Sequence, residues 1–274
     1  MPKTVAIQGI KGSFHHIVSQ QYFETAVDVV ECRSFQDTVA VVLNKQADMA
    51  IMAIENSIAG SIIPNYALID SNNLQVVGEY YLDVQHHLMA LPNQDIYAIK
   101  EVHSHPMALL QCAAFFKGYP HIKLVEAKDT AEVAKEIQSN QSHGIAAIAS
   151  TLAAELFGLQ ILNTSIQTIK HNETRFVFVQ RLLGQGTTQT LDKASIKFEL
   201  EHKRGSLAAV LNVLSDCKIN LTKIQSLPII ETPWKYAFFV DVTFDEYKSF
   251  EKAKQILDLM TTHLKVIGVY KNAK

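Results

Sequence analysis

Apolar residues recur along this chain at a few distinct spacings, and each spacing predicts an element. Residues 49–54 and 145–149 are unbroken apolar runs, typical of strands buried on both faces of a sheet. Residues 176–179 alternate, with Phe176 and Phe178 on one face and Val177 and Val179 on the other, which is a half-buried strand pattern. Helical spacing follows Ser34 (Phe35, Val39, Val42, Leu43) and Pro106 (Leu109, Leu110, Ala113), and Asp129 is placed to cap a helix to about residue 139. Residues 4–31 read as strand, helix, strand: 5–7, about 14–23 with Ser13 as cap, and 27–30.

The order of these elements predicts an α/β protein of two lobes with a smaller module behind it. A first lobe (about 1–77) passes through a β-rich stretch into a second (about 78–163). The chain then returns through 164–171 to the alternating strand and completes the first lobe by 183. Two crossings between lobes make a cleft with a double hinge. Residues 184–193, beginning Gly-Gln-Gly-Thr-Thr-Gln-Thr, read as a linker. Beyond it the pattern becomes β-α-β-β-α-β over 194–274, with strands near 194–200, 219–229, 235–242 and 263–270. Its helices bury Leu207, Val210, Leu211 and Leu214, then Phe250, Ala253, Leu257 and Met260, which is a ferredoxin-like layout.

Composition narrows the partners. The chain has 274 residues, 48% apolar and 19% charged, with ample core material for this layout. A formal net charge of −2 without any basic run argues against nucleic acid or a membrane surface as partner. No apolar run approaches a membrane span, and residues 1–4 lead straight into the first strand without a signal-peptide core. Cys32, Cys112 and Cys217 are widely spaced and read as reduced thiols of a cytoplasmic protein.

Polar residues interrupt the apolar pattern at a few places where ligands are usually held. Gly9-Ile10-Lys11-Gly12-Ser13 follows the first strand and opens a helix, a turn suited to anions. Lys11 stands where a dinucleotide fingerprint needs its second glycine, so Glu31 on the next strand is not read as a ribose ligand. Glu55, Asn56 and Ser57 end the buried strand 49–54, at the carboxyl edge where open α/β sheets bind ligands. His86, His87, His103 and His105 lack carboxylate or cysteine partners at ligand spacing, so no metal is expected. Thr174 and Arg175 open the alternating strand. Either its start is irregular and both reach one cleft, or the strand is regular and only one does.

Taken together, several of these stretches resemble the prephenate dehydratase family. Asn-x-Thr-Arg-Phe at 172–176 is similar to its signature, and Ile-Glu-Asn-Ser-x-x-Gly at 54–60 to a second motif, with Ala53 in place of proline. Ser104, His105, Pro106, Gln111 and Cys112 fit a third, with Met107 replacing a glutamine; Gly9 to Phe14 resembles the family's opening. The C-terminal module resembles an ACT domain, its Gly205-Ser206-Leu207 and Gln225-Ser226-Leu227-Pro228, with Asn220-Leu221 upstream, matching motifs associated with phenylalanine. Here Gln225 and Leu227 stand where the family has glutamate and arginine.

The resemblance implies a periplasmic-binding-protein-like (type II) catalytic domain and a stand-alone, monofunctional enzyme that converts prephenate to phenylpyruvate without metal or organic cofactor. It also implies an L-phenylalanine effector at the ACT module and a homodimer through that module, with a homotetramer as the larger form. Thr174 is expected to hydrogen-bond the leaving hydroxyl as, or as relay from, the general acid. Arg175 is expected to bind a carboxylate or hold its strand, and Phe176 to shape the wall. Asn56, Ser57, Ser104, Gln111 and Ser13 are expected as neutral donors to the substrate, and Glu55 as an orienting or protonated acid. Two alternatives stand beside this: an arogenate dehydratase, and a non-catalytic two-lobed binder of small anions.

Overall fold

The computed structural model describes residues 3–182, 191–201, 203–229, 232 and 235–274. In chain order the elements begin β1 (Thr4–Gln8), α1 (Phe14–Tyr22), β2 (Asp28–Cys32), α2 (Phe35–Leu43), β3 (Met49–Asn56), β4 (Gly60–Ser61), α3 (Ile63–Ser71) and β5 (Leu74–Asp83). Next come β6 (His87–Ala90), β7 (Glu101–Ser104), α4 (Pro106–Phe116), β8 (Lys123–Glu126), α5 (Thr130–Ser139), β9 (Ile145–Ala149), α6 (Thr151–Phe157), β10 (Gln160–Asn163) and β11 (Glu173–Arg181). The last are β12 (Lys193–Glu199), α7 (Ser206–Asp216), β13 (Asn220–Pro228), β14 (Tyr236–Thr243), α8 (Tyr247–Met260) and β15 (Thr262–Tyr270). The expected linker at 184–193 lies outside the described residues through 190, and Lys193 already belongs to β12.

One sheet runs β2-β1-β3-β11-β5, with β4 paired to β3. The unbroken apolar run of β3 is buried from Met49 to Ile54, and exposure returns at Glu55 and Asn56 where the polar residues begin. A second sheet runs β10-β6-β9-β7-β8. Strand alternation explains why it needs apolar residues at every position. Leu88, Ala90, Ala146 and Ile148 share a core with Leu109 and Cys112 of α4, while Met89, Leu91, Ala147 and Ala149 share another with α5 and α6.

The C-terminal sheet has the order β13-β14-β12-β15, the ferredoxin-like arrangement of a βαββαβ unit. Ile196 and Phe198 of β12 pack with Val210 and Leu214 of α7 and Phe250, Ala253 and Leu257 of α8, with Leu207 partly buried against them, as expected from sequence; Leu211 and Met260, expected in the same stripes, are instead exposed.

By its contacts the chain divides into two compact units, Met1–Gly60 with Tyr81–Phe176, and Ser61–Tyr80 with Val177–Lys274. Residues 61–80 thus group with the C-terminal sheet, a placement no local pattern signals. The Lys193 ammonium donates to both oxygens of Glu79 at 2.8 and 2.9 Å, with both side chains almost fully buried. Asp70 pairs with Lys197 and Lys265. Gly268 is glycine because a Cβ there would overlap the Val76 carbonyl. Helix α3 was also not anticipated: Pro64 sits in its first turn and no side chain caps it.

Candidate functional site

Strand β11 begins at Glu173, and alternation along it puts Thr174 and Phe176 on one face and Arg175 and Val177 on the other. Of the Thr-Arg pair, Thr174 is bonded into the polar cluster. The carboxyl end of β3 meets the amino end of β11 through Ser57, whose N–H donates to the Glu173 carbonyl (2.8 Å) and whose hydroxyl accepts from the Glu173 N–H (3.0 Å). That splice brings Asn56 beside Thr174. Asn56 Nδ2 donates to Thr174 Oγ1 at 2.9 Å and to Asn172 Oδ1 at 2.7 Å.

The cluster extends into the second sheet's helix. Asn172 Nδ2 donates to Gln111 Oε1 at 2.9 Å, and His86 Nε2 lies 2.9 Å from the same oxygen. Gln111 sits one turn into α4, whose first residue is Pro106 and whose cap is His105, its Nδ1 accepting from the Met107 N–H. Neutral carboxamides and a hydroxyl thus converge from β3, the start of β11 and α4. Asn172, which lies within the signature but is not singled out there, and His86, weighed from sequence as a metal ligand, are the members sequence reasoning missed.

Other expected site residues are committed elsewhere. Ser104 is fully buried and gives its hydrogen to the Ile148 carbonyl at 2.7 Å, which corrects its expected role as a donor. Phe176 is 2% exposed and meets the His15 ring edge-on at 5.0 Å, so it is core rather than wall. Arg175 is 3% exposed on the face away from Thr174. Ser13 caps α1 by accepting from the His16 N–H. The turn before it is likewise satisfied internally: Gly9 N–H donates to Cys32 O, Lys11 N–H to Glu31 Oε1, Gly12 N–H to His16 Nδ1 and Ser13 N–H to Ile10 O. The Ser150 hydroxyl donates to Gly12 O at 2.6 Å, and a Cβ on Gly12 (φ +96°) would press on the Ala153 backbone at 3.2 Å. The expected anion turn is instead a joint between α1 and α6. Glu55 is half-buried beside Asn56.

Burial sets the histidines. His86 is pushed down to about 4 by desolvation, its bond to Gln111 pulling the other way, and its Nδ1 has no hydrogen-bond partner among the described residues. His15 is pushed down to about 3 by burial alone. Among the described residues no group of three or more His, Cys, Asp or Glu comes together as a metal site.

The family model described as prephenate dehydratase matches residues 5–182. The chain belongs to the prephenate dehydratase family. It is 32% identical over 270 residues to a bifunctional chorismate mutase/prephenate dehydratase of Enterobacter agglomerans, covering 97% of this chain and 70% of that protein. It is 34% identical over 278 residues to arogenate dehydratase/prephenate dehydratase 2 of Arabidopsis thaliana, covering 97% and 72%. Two solved structures superpose with a TM-score of 0.89. One is prephenate dehydratase of Arthrobacter aurescens in complex with L-Phe, at 25% identity over 98% of this chain and 90% of that one. The other is GqqA, described as a novel type of quorum quenching acylase, at 26% identity over 99% and 98%. Prephenate dehydratase activity, conversion of prephenate to phenylpyruvate, is accordingly the activity of this chain, and the non-catalytic binding-protein alternative is set aside. The arogenate alternative is not favoured.

The remaining expected residues of this prephenate dehydratase lie in the second unit. Gly205 (φ +86°) opens α7 with Ser206 and Leu207 following, and glycine suits it by conformation, since a Cβ there would meet none of the described residues. Leu200, Glu201, Lys203, Ser206, Leu207 and Tyr236 line a small cavity of about 110 Å³. Asn220, Leu221 and Pro228 lie on β13, an edge strand. On it, Gln225 spends its amide on the Ser226 carbonyl and Leu227 is buried.

Proposed function

We propose that Thr174 hydrogen-bonds the departing ring hydroxyl of prephenate, and that the neighbouring carboxamides hold the substrate for that step. In the reaction the bond to the ring carboxylate breaks, its electron pair aromatises the ring, and hydroxide leaves and takes up a proton as water. Aromatisation supplies most of the driving force, so the protein's part is orientation and stabilisation of the charge that develops on the leaving oxygen. A threonine hydroxyl is a poor acid, and in this reading it donates a hydrogen bond or passes on a proton from water. The observation that carries the reading is the 2.9 Å bond from Asn56 Nδ2 to Thr174 Oγ1. It occupies an acceptor site of the hydroxyl and leaves its hydrogen for the substrate. Steady-state turnover of prephenate by wild type, Thr174→Ser and Thr174→Val is the test. Serine should keep most of kcat and valine should lose it, and an active valine variant would remove Thr174 from the chemistry.

We infer further that residues up to 182 form the catalytic domain, with two lobes of the periplasmic-binding type, and that 193–274 are an ACT module. L-phenylalanine is its proposed effector, bound beside Gly205, Ser206 and Leu207. The cavity next to those residues supports this, as does the L-Phe reported with the Arthrobacter relative. A second copy pairing at this module is the proposed dimer, with the exposed edge strand β13 available to it. A cytoplasmic location fits three cysteines that are all free and buried.

A further inference from the structure

We propose that His86 and Asn172 are positioning residues that fix Gln111, so that the Gln111 amide hydrogens and the Thr174 hydrogen are the donors left to face the substrate. The proposal deepens the dehydratase reading and rests on it. Its basis is that the direction of every bond in the cluster follows from two backbone groups. The N–H groups of Ile58 and Ala59 donate to Asn56 Oδ1 at 3.0 and 2.8 Å. A backbone N–H can only donate, so that atom is the oxygen and the amide cannot be flipped.

The rest follows as a chain. Asn56 Nδ2 then spends its hydrogens on Asn172 Oδ1 (2.7 Å) and Thr174 Oγ1 (2.9 Å). Asn172, accepting with its oxygen, must donate with its nitrogen, to Gln111 Oε1 at 2.9 Å. The group facing His86 Nε2 at 2.9 Å is therefore the same oxygen, so the imidazole carries its hydrogen on Nε2. Gln111 Oε1 accepts from both sides, which turns its NH2 group away from the cluster. The opposite tautomer would set a bare nitrogen against a carbonyl oxygen.

Backbone bonds lock the same parts. Asn172 N–H donates to Asp83 Oδ1 (3.0 Å), and its carbonyl accepts from Val84 (2.7 Å). The returning segment holds the other two: Ile166 N–H donates to the His86 carbonyl (2.8 Å) and Thr168 N–H to the Gln111 carbonyl (2.9 Å), while Gln167 Oε1 accepts from the His86 N–H (3.0 Å). Phe14 closes the far side, its ring edge-on to His86 at 5.6 Å. Residues distant in sequence are thus held in one geometry around a single carboxamide.

The test combines kinetics with a direct view of the tautomer. Kinetic constants on prephenate and thermal midpoints are measured for wild type, His86→Leu, His86→Gln, Gln111→Ala and the double variant His86→Leu/Gln111→Ala. His86→Leu should lower kcat/KM roughly 10- to 100-fold. His86→Gln, whose amide nitrogen reaches the place of Nε2–H, should recover most of it. The double variant should be no worse than Gln111→Ala alone, because His86 acts through that side chain. Additive losses in the double variant, or His86→Leu with wild-type kinetics, would overturn the proposal. Nitrogen NMR of the wild-type histidines should show His86 protonated at Nε2 and bare at Nδ1; the reverse tautomer overturns it whatever the kinetics. Wild type with the expected tautomer but no turnover of prephenate would instead overturn the dehydratase reading and the positioning role with it.

Discussion

The Asn56 carboxamide donates to the hydroxyl of Thr174, 118 positions further along the chain, while its own oxygen is held by the backbone of Ile58 and Ala59. A buried threonine is thereby told which way to point its proton. Asn56→Asp keeps shape and volume but replaces the donor with an acceptor, so the Thr174 hydrogen would turn inward to the carboxylate. The expected result is a kcat lower by roughly 100-fold, or about 2.7 kcal/mol, with thermal stability changed far less. Steady-state kinetics and a thermal melt on the same preparation check it. Unchanged kcat would mean that the direction of this hydrogen bond does not matter to the reaction.

How much of this was visible beforehand depends on the reach of each signal. The buried run of β3 and its polar end at Glu55 and Asn56 were legible because burial on both faces demands apolar residues without a break. Asp129 was legible as a cap because its carboxylate oxygen accepts from the nearby N–H groups of Ala131 and Glu132. The link from His86 to Gln111 and from Gln111 to Asn172 spans 25 and 61 positions, and nothing local in a lone histidine near an apolar strand announces it. Ser104 misled for a related reason. Its place in a family-like motif implied a ligand donor, whereas in the structure it gives its hydrogen to the Ile148 carbonyl of β9, the strand alongside β7.

The grouping of residues 61–80 with the C-terminal sheet makes Glu79 a stability determinant of that unit. Its carboxylate is fully buried, takes both bonds from Lys193 and also accepts from the Ala273 N–H at 3.1 Å. Removing one partner of a buried pair costs more than the pair contributes, because the remaining charge stays desolvated. Glu79→Leu should therefore destabilise by about 3 kcal/mol, and Glu79→Leu/Lys193→Met should recover most of the loss. Urea midpoints at constant slope measure both. A double variant as weak as the single would show that Lys193 is not the cause.

If L-phenylalanine occupies the cavity beside Ser206 and Leu207, it should stabilise the folded chain by mass action. At a concentration 100 times its Kd the gain is about 2.7 kcal/mol, seen as a rise in Tm that grows with ligand. Ser206→Trp fills the cavity and should abolish the rise while leaving the ligand-free Tm close to wild type. Gln225 and Leu227 bear on affinity, since the ion pair expected at those positions in relatives is replaced here by an amide bonded to Ser226 and a buried leucine. A full chain whose Tm ignores L-phenylalanine would remove it as effector.

Two buried histidines predict how stability responds to acid. Burial lowers His15 from 6.5 to about 3 and His86 from 6.5 to about 4. Between these values the unfolded chain binds protons that the folded chain refuses. Unfolding is therefore favoured progressively as pH falls below 6.5, and the loss levels off only when the folded histidines protonate as well. The contribution is fully present above pH 6.5. His15 lies between Phe35 and Phe176, edge-on to both at 5.5 and 5.0 Å, and its Nε2 has no hydrogen-bond partner among the described residues, so an apolar ring suits the site. His15→Phe should lose about 2 kcal/mol less than wild type between pH 7 and pH 4.5. Urea unfolding of both proteins at the two pH values gives the difference directly, and equal losses would show that His15 is not what acid attacks.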